Sequence, residues 1–567
     1  MFSLAFQQGY SQSFAPTIIE GVINDYAAVT NILCLDENDV DSDTVADNSE
    51  FREGDTVMLY CVKGAKIVED TADGFFNQFE DIGGDSLNPG NTGRYAFLII
   101  NEIYAPGKVV VFNNKITPHI KTLREGEVAQ LIRVPSYRNA RVTAAGLSTI
   151  PWDGTTGGVI TLFTGVLELN GDIDASGMGF RGASEDQDYL EACTSENMSL
   201  LDSLFYDIDN YRAGKKGEGN TDASFDRLRG RAKNINGGGG GNGLFSGGGG
   251  GSNFYGGGMG GNESGSCVSG LSEPGGQGGF SLNLHNYFSN YYNDINIYSN
   301  RYDRISFGGG GGTGTRQSGI FTSDGGNGGG LVVIIADSII GNDNDIRVDG
   351  NSALDAEGAA GGGGGGGCIV LDVNGYRTVL NLSARGGNGG NTLGTPCTGP
   401  GGGGGGGAYW LSGVEDQHAE INMVDEKGLA GKCNSTISYG ASDGTGPGEK
   451  YGLFAPIRGF IFNPVPNEIT VCSDQIPPSL LAGSPKGGDG PGTYTYQWVD
   501  SSSTQNAWLP APGINDDSVY HFPGPLSDTT YFRRIVKSGI LANDTSFRIA
   551  VYVPPEIFNN TITAPDT

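Results

Sequence analysis

Five runs of glycine, at residues 237–241, 247–251, 308–312, 361–367 and 401–407, constrain this chain more than any other feature. Two states are open to such runs. Glycine-rich segments can behave as flexible, random-coil linkers. They can instead be ordered polyglycine, packed side by side in the extended three-residue-per-turn helix that collagen also uses. Fixing a backbone costs ~1–2 kcal/mol per residue, so ordering seven glycines costs on the order of 10 kcal/mol. Only dense backbone hydrogen bonding offsets that, helped by Cα–H···O contacts where no Cβ holds neighbouring chains apart. The later runs alternate with short apolar segments, Leu331-Val332-Val333-Ile334-Ile335 and Cys368-Ile369-Val370-Leu371, and this regularity favours the ordered state.

The alternation has an internal repeat. Gly158-Val159-Ile160-Thr161-Leu162 leads to Ile173-Asp174, and Gly330-Leu331-Val332-Val333-Ile334 leads to Asn344-Asp345-Ile346-Arg347. Gly367-Cys368-Ile369-Val370-Leu371 leads to Leu380-Asn381-Leu382-Ser383, and Gly407-Ala408-Tyr409-Trp410-Leu411 leads to Glu420-Ile421-Asn422-Met423. Each unit reads as glycine, apolar strand, turn, alternating strand, glycine. A period of about 40 residues is that of stacked supersecondary repeats, which bury a face only against one another.

The fold class expected is all-β, with a glycine-rich layered or β-solenoid-like head carrying polyglycine II-type segments. A small N-terminal β domain (18–150) and a C-terminal immunoglobulin-like sandwich (467–555) flank that head. The head spans 151–466 with an insertion at 183–307; residues 1–17 read as a signal remnant or mature terminus, and 556–567 as the start of a following module. Strand patterns at 51–60, 95–104, 108–112 and 128–134 define the first region. About seven short strands around Trp498 define the last. The one helix-like stretch is 196–211.

Charge narrows the function classes. With 64 acidic against 34 basic side chains the formal charge is −30, which argues against nucleic acid and anionic lipid as partners. No apolar run reaches the ~18–20 residues of a membrane span, so no membrane insertion is expected. The eight cysteines are dispersed without CxxC spacing. Candidate disulfides in an exported protein are Cys34–Cys61, Cys193–Cys267 and Cys397–Cys433, with the pairing left open.

Several clusters resemble a known family. They are Ala129-Gln130-Leu131-Ile132-Arg133-Val134-Pro135-Ser136-Tyr137, residues 152–158, Gly179-Phe180-Arg181-Gly182, Lys216-Gly217-Glu218-Gly219, and the glycine run ending at Ala408-Tyr409-Trp410. In that order they are similar to the glycine-rich exported surface proteins of Bacteroidetes. Gly492-Thr493-Tyr494-Thr495-Tyr496-Gln497-Trp498 and Thr529-Thr530-Tyr531-Phe532-Arg533-Arg534 resemble the immunoglobulin-like repeats of giant gliding-motility adhesins of that phylum. The resemblance implies export by the type IX secretion system, placement at the cell surface, and a role in adhesion or gliding. One departure is visible: Ile540-Leu541 stand where such modules often carry a second cysteine, which leaves Cys472 without an expected partner.

Catalytic patterns are sparse. The four histidines, His119, His285, His418 and His521, show no ligand spacing, and neither a Gly-x-Ser-x-Gly elbow nor HExxH occurs. Gly-x-Gly-x-x-Gly matches carry no weight inside polyglycine. The turn pairs Asp172/Asp174 and Asp343/Asp345 have glycosidase-type chemistry, but 64 acids generate such pairs by chance. Asp39, Asp41, Asp43, Asp47 and Glu50 match positions 1, 3, 5, 9 and 12 of a Ca²⁺ loop, with Thr44 where the sharp turn needs glycine. Ca²⁺ is the one cofactor this pattern suggests; the competing reading is an acidic surface loop.

Phe254, Tyr255, Tyr287, Tyr291 and Tyr292 interleave with glycine and asparagine, a composition suited to adaptable contacts including stacking on sugars. The competing reading makes these rings caps on the glycine layers.

The function expected is a non-enzymatic, extracellular cell-surface adhesin or filament protein, for attachment or gliding motility. Its expected partners are surface glycans or other cell-surface and motility proteins. A polysaccharide-processing β-solenoid enzyme and a scaffold subunit of a surface complex are the alternatives.

Overall fold

The structure, a computed structural model, describes residues 16–33, 42–45, 51–66, 90–104, 109–112, 120, 123–184, 208–209, 213–264, 272–282, 304–316, 320–394, 397–446, 451–452, 461–463, 465, 469–487, 493–502, 505–538, 542–546 and 548–554. The fold is all-β, and no helix occurs among the described residues. The helix-like stretch at 196–211 lies almost wholly outside them.

Six antiparallel strands close a small barrel: Tyr26–Leu33, Ser42–Val45, Val109–Phe112, Tyr95–Tyr104, Thr56–Lys63 and Val128–Arg133. Val57, Leu59, Leu98, Ile100, Phe112 and Leu131 fill its interior. The alternate residues Met58, Tyr60, Val62, Phe97 and Ile132 point outwards, yet they are buried too, in a core shared with the head. That second burial explains why Thr56–Lys63 is apolar without interruption.

The head is a parallel solenoid, as the repeat predicts. Strands Val159–Leu169, Leu331–Ile340, Cys368–Tyr376 and Ala408–Leu411 stack in register, with Val159 opposite Leu331, Leu331 opposite Cys368, and Cys368 opposite Ala408. Their shorter companions Ile173–Asp174, Asn344–Arg347, Leu380–Ser383 and Ile421–Val424 stack likewise. One side of the long strands (Ile160, Leu162, Val332, Ile334, Ile369, Leu371, Tyr409) packs on Ile173, Ile346 and Leu382 of the short ones. The other side (Phe163, Leu331, Val333, Val370, Trp410) packs on the barrel and on Trp152, Phe180, Phe254 and Phe307. Strands buried on both faces read as continuous apolar runs, whereas the short strands alternate.

Two strands that fall largely within the bounds expected for the N-terminal domain belong to the solenoid. Ser136–Ser148 forms its first full rung, pairing with Val159–Leu169 and then with Ile173, and Thr17–Val22 lies along its other edge. The N-terminal domain is therefore the barrel alone, roughly 26–133, inserted after an edge strand of the head.

Polyglycine fills the rest of the head. Residues 247–251 lie at the centre, and their hydrogen bonds cycle every three residues. Gly247 and Gly250 donate to Gly261 and Gly258, Gly248 and Gly251 to Ala360 and Gly363, and Gly249 and Ser252 to Gly239 and Asn236. The carbonyls accept in the same cycle, from Gly276 and Gly279, from Gly402 and Gly405, and from Gly312 and Gly309. All twelve N···O separations are 2.8–2.9 Å. Six strands thus surround one, and a three-fold helix is the conformation that points successive peptide groups at different neighbours. The register shows three neighbours running parallel to the central strand and three antiparallel.

Such packing admits no side chain. A Cβ on Gly249 would lie 2.1 Å from the Gln277 carbonyl oxygen, and one on Gly362 would lie 2.1 Å from that of Gly249. Net hydrogen bonds of ~0.5–1.5 kcal/mol and Cα–H···O contacts of ~0.5–1 kcal/mol match the scale of the ordering entropy, ~1–2 kcal/mol per residue. The segment 183–307, expected as an insertion interrupting the repeat, instead supplies the central strands of this lattice. Its sequence lacks the apolar strand of the repeat because its neighbours are glycine backbones, not β-strands.

The C-terminal module is a six-stranded sheet, Ile469–Thr470, Ile549–Tyr552, Thr530–Ser538, Tyr494–Ser502 and Gln505–Pro510, with Ala542–Thr545 paired to Thr530–Ser538. A two-stranded pair, Ile461–Phe462 with Lys486–Gly487, accompanies it. Trp498 is its buried centre, packed with Tyr520, Phe532, Ile549 and Val551. Arg534 is also buried, donating to Asn463 Oδ1 at 2.8 Å and to the Gly483 and Ser518 carbonyls.

Of the expected disulfides, Cys397–Cys433 is formed and staples neighbouring coils of the glycine lattice across 36 residues. Cys61 is instead a buried thiol inside the barrel, where the inward alternation of Thr56–Lys63 places it; Cys34, Cys193 and Cys267 lie outside the described residues. Removing the staple with Cys433→Ser is expected to cost about 2–4 kcal/mol, the usual effect of a cross-link closing a loop of this size. Urea titration of the two proteins checks this, and a midpoint that reductant shifts only in the parent identifies the cause.

Candidate functional site

At the rim of the lattice the three-residue helix turns every third residue outwards. The outward sets are Asp349, Ser352 and Asp355 on one coil, Arg385, Asn388 and Asn391 on the next, and Glu426, Leu429 and Lys432 on the third. Side chains there replace the missing neighbour strand. The Ser352 hydroxyl accepts from Asn388 N, and Asn388 Oδ1 from Leu429 N. Asp355 Oδ1 accepts from Asn391 N, and Asn391 Oδ1 from Lys432 N. The motif Gly-Gly-Asn at 386–391 is the sequence form of this arrangement.

On the same rim a groove of about 700 Å³ opens between residues 320–327 and 351–354, with Ser184 and Arg316 also in its lining. That volume lies within the range of small-molecule sites, about 300–1,000 Å³. Its floor is glycine lattice: Gly325 N donates to Ala183 O, and Gly326 N to Gly362 O. Asn327 Oδ1 accepts from Gly182 N at 2.8 Å, while Asn327 O accepts from Asn351 N. Phe321 is held through its carbonyl, which accepts from Glu357 N and Gly358 N, yet its side chain is 54% exposed. Leu354 on the facing wall is 71% exposed. Among the described residues no partner meets the N–H of Asn327 or Leu354, or the Asn351 carboxamide. The groove is thus a surface on hydrogen-bonded backbone with an exposed ring, an exposed aliphatic chain and neutral donors without a partner among the described residues.

Electrostatic structure lies elsewhere. Glu218 joins three parts of the head, accepting from Lys63 Nζ of the barrel at 2.8 Å and from Arg181 Nε of the solenoid at 2.9 Å. Burial pushes its carboxyl up, but Lys63 and Arg181 overcome that and hold it at about 2. Asp172 and the carboxylates of Asp174 and Asp345, which stand on short strands where turns were expected, converge on Arg347 at 2.9–3.1 Å. They are ion-paired on the partly exposed short-strand face. Cys368 is buried against the Ser306 carbonyl, and burial pushes its thiol up to about 12.

The structure redistributes the residues singled out from sequence. Phe254 is fully buried and meets Tyr255 edge-on at 5.1 Å, so Phe254 belongs to the core, with Tyr255 half-buried beside it. Tyr287, Tyr291 and Tyr292 lie outside the described residues. Asp43 is part of the barrel strand Ser42–Val45, opposite Ile32 and Val110, so Asp43-Thr44 is extended where a Ca²⁺ loop must turn sharply. Asp39, Asp41, Asp47 and Glu50 lie outside the described residues, and among those described no cluster of three metal-ligating side chains forms. Sequence reasoning missed the groove because Phe321 and Asn327 come from one coil and Asn351 from another. The trace available was a lone phenylalanine preceding Gly-Gly-Asn.

A family model described as a domain of unknown function (DUF8696) matches residues 463–555, the C-terminal module. No curated protein matches the chain. One solved structure, the Gp54 tailspike of Acinetobacter baumannii bacteriophage AP22 in complex with A. baumannii capsular saccharide, is similar at 10% identity. That similarity covers 94% of this chain and 84% of that one, with a TM-score of 0.14, and at that score it carries no argument.

Proposed function

We propose that the chain is a non-enzymatic, extracellular surface protein, an adhesin or filament component that serves attachment or gliding and is exported by the type IX system. One observation carries this reading: the head fills its interior with hydrogen-bonded backbone and displaces side-chain variety to the rim, where a rigid groove faces solvent. Such a body holds a binding surface fixed while investing little side-chain chemistry inside. The Cys397–Cys433 cross-link supports an oxidising location, and the charge of −30 suits an exposed, soluble surface. The expected partners are surface glycans or cell-surface proteins.

Deleting the gene in its native host is expected to impair surface attachment or spreading, measured by retention under flow and colony expansion. Normal attachment and normal spreading in the deletion strain would contradict the proposal.

A further inference from the structure

We propose that the rim groove takes a short neutral oligosaccharide, with Phe321 as its stacking platform and the Asn351 carboxamide as its polar anchor. This rests on the reading of the chain as a binding head. An aromatic ring contributes most to stability when buried. Phe321 is instead more than half exposed, on a backbone pinned by two hydrogen bonds, at the wall of the groove. A rigid exposed ring suits the apolar C–H face of a pyranose, which needs a flat partner and little conformational adjustment.

The polar groups suit hydroxyls. The Asn351 carboxamide offers two donors and an acceptor, the Ser352 hydroxyl both roles, and the N–H groups of Asn327 and Leu354 add donors that have no partner among the described residues. All are neutral, and a few placed polar groups beside apolar surface are what small-molecule sites use for orientation.

Charge selects against acidic sugars. The charged side chains lining the groove are Arg316 and Asp324, one of each sign, so the lining is neutral overall. A chain of charge −30 repels polyanions during approach. An acidic glycan would need an excess of cations that the groove does not have.

The test uses the full chain against a panel of neutral hexose and N-acetylhexosamine trisaccharides, uronate-containing trisaccharides, and a glycine-rich peptide, by titration calorimetry. Neutral trisaccharides are expected to bind, and Phe321→Ala and Asn351→Ala each to weaken binding about tenfold or more. Asn388→Ala, on the same rim outside the groove, is expected to leave binding unchanged. Unfolding midpoints of all three variants report that the head is intact.

Binding of only the uronates or only the peptide overturns the inference, as does neutral binding that survives both groove substitutions. Attachment to cell or mineral surfaces is measured with the same proteins. Normal attachment by a chain that ignores the neutral panel overturns the groove assignment alone. A chain that does neither overturns the binding-head reading as well.

Discussion

Gly364→Val is expected to abolish the folded head. A Cβ at this position would lie 2.0 Å from the Asn327 carbonyl oxygen and 2.4 Å from its carbon, both backbone atoms of a strand itself held on other sides. Relief requires the neighbouring strand to move by about 1 Å or more, which a close-packed interior does not permit locally. The clash propagates, because the same lattice positions Gly404, whose own Cβ would lie 2.0 Å from the Gly364 oxygen. The loss should exceed about 4 kcal/mol, in the range reserved for gross disruption of a core. Gly364→Ala should do nearly as much, since the first carbon already collides. Asn388→Ala, which removes only one exposed rim hydrogen bond to Leu429 N, should cost no more than about 0.5–1.5 kcal/mol. Gel filtration and urea unfolding of the three proteins check this, and a Gly364→Val chain with a native midpoint refutes it.

Glu218→Gln should give the second largest effect. The substitution leaves Lys63, which is mostly buried, without its counter-charge, and also weakens the Arg181 contact between solenoid and lattice. Breaking one partner out of a buried ion pair costs about 3–5 kcal/mol. The half-exposed Arg181 is screened by solvent, so about 3 kcal/mol is expected.

The pH dependence has a definite sign. The Glu218 carboxyl is held at about 2 in the folded protein against an ordinary 4.5, so in that window the unfolded chain binds the extra proton. Its stabilisation is complete above about 4.5 and is lost progressively as pH falls towards 2. Parent and Glu218→Gln midpoints should therefore differ most near neutrality and converge in acid. A difference that is constant from pH 7 to pH 2.5 would contradict the assignment.

The repeat was legible because two physical periods coincide. Leu331, Cys368 and Ala408 each follow a glycine run, and each begins a strand that the structure places in register. The continuous apolar character of 331–335 and 368–371 reports burial on both faces. Polyglycine order was also legible, since apolar strands in phase with glycine leave no reason for a linker.

The lattice's membership was not. Residues 237–241 and 247–251 lack flanking apolar strands, so a pattern-based reading treats them as an insertion, although they are the centre. Backbone packing leaves no trace in side-chain periodicity beyond glycine itself. The barrel boundary was misplaced for a related reason: residues 136–148 alternate like any strand, and only the parallel partner Val159–Leu169 assigns them to the head.

The candidate site was the least legible part. Phe254 and Tyr255 carry the same composition signal as a contact surface, but Phe254 is buried in the core that barrel and head share, with Tyr255 half-buried against it. Asp43 shows the converse case, where a matching carboxylate spacing falls on a strand that barrel closure requires. The groove arises where coils 320–327 and 351–354 diverge, a property of the stack and of no single segment.

Hydrogen exchange resolved to the glycine amides tests the central claim, that the polyglycine runs are a folded core. Amides of Gly248–Gly251, Gly362–Gly366 and Gly402–Gly405 each donate to a backbone carbonyl within the lattice or, for Gly364, Gly403 and Gly404, to its rim. They should exchange as slowly as those of Leu331–Ile340 and Cys368–Tyr376, opening only with global unfolding. Exchange of these glycines at unprotected rates, while the β-strands remain protected, would show mobile runs beside a separate solenoid and would contradict the account.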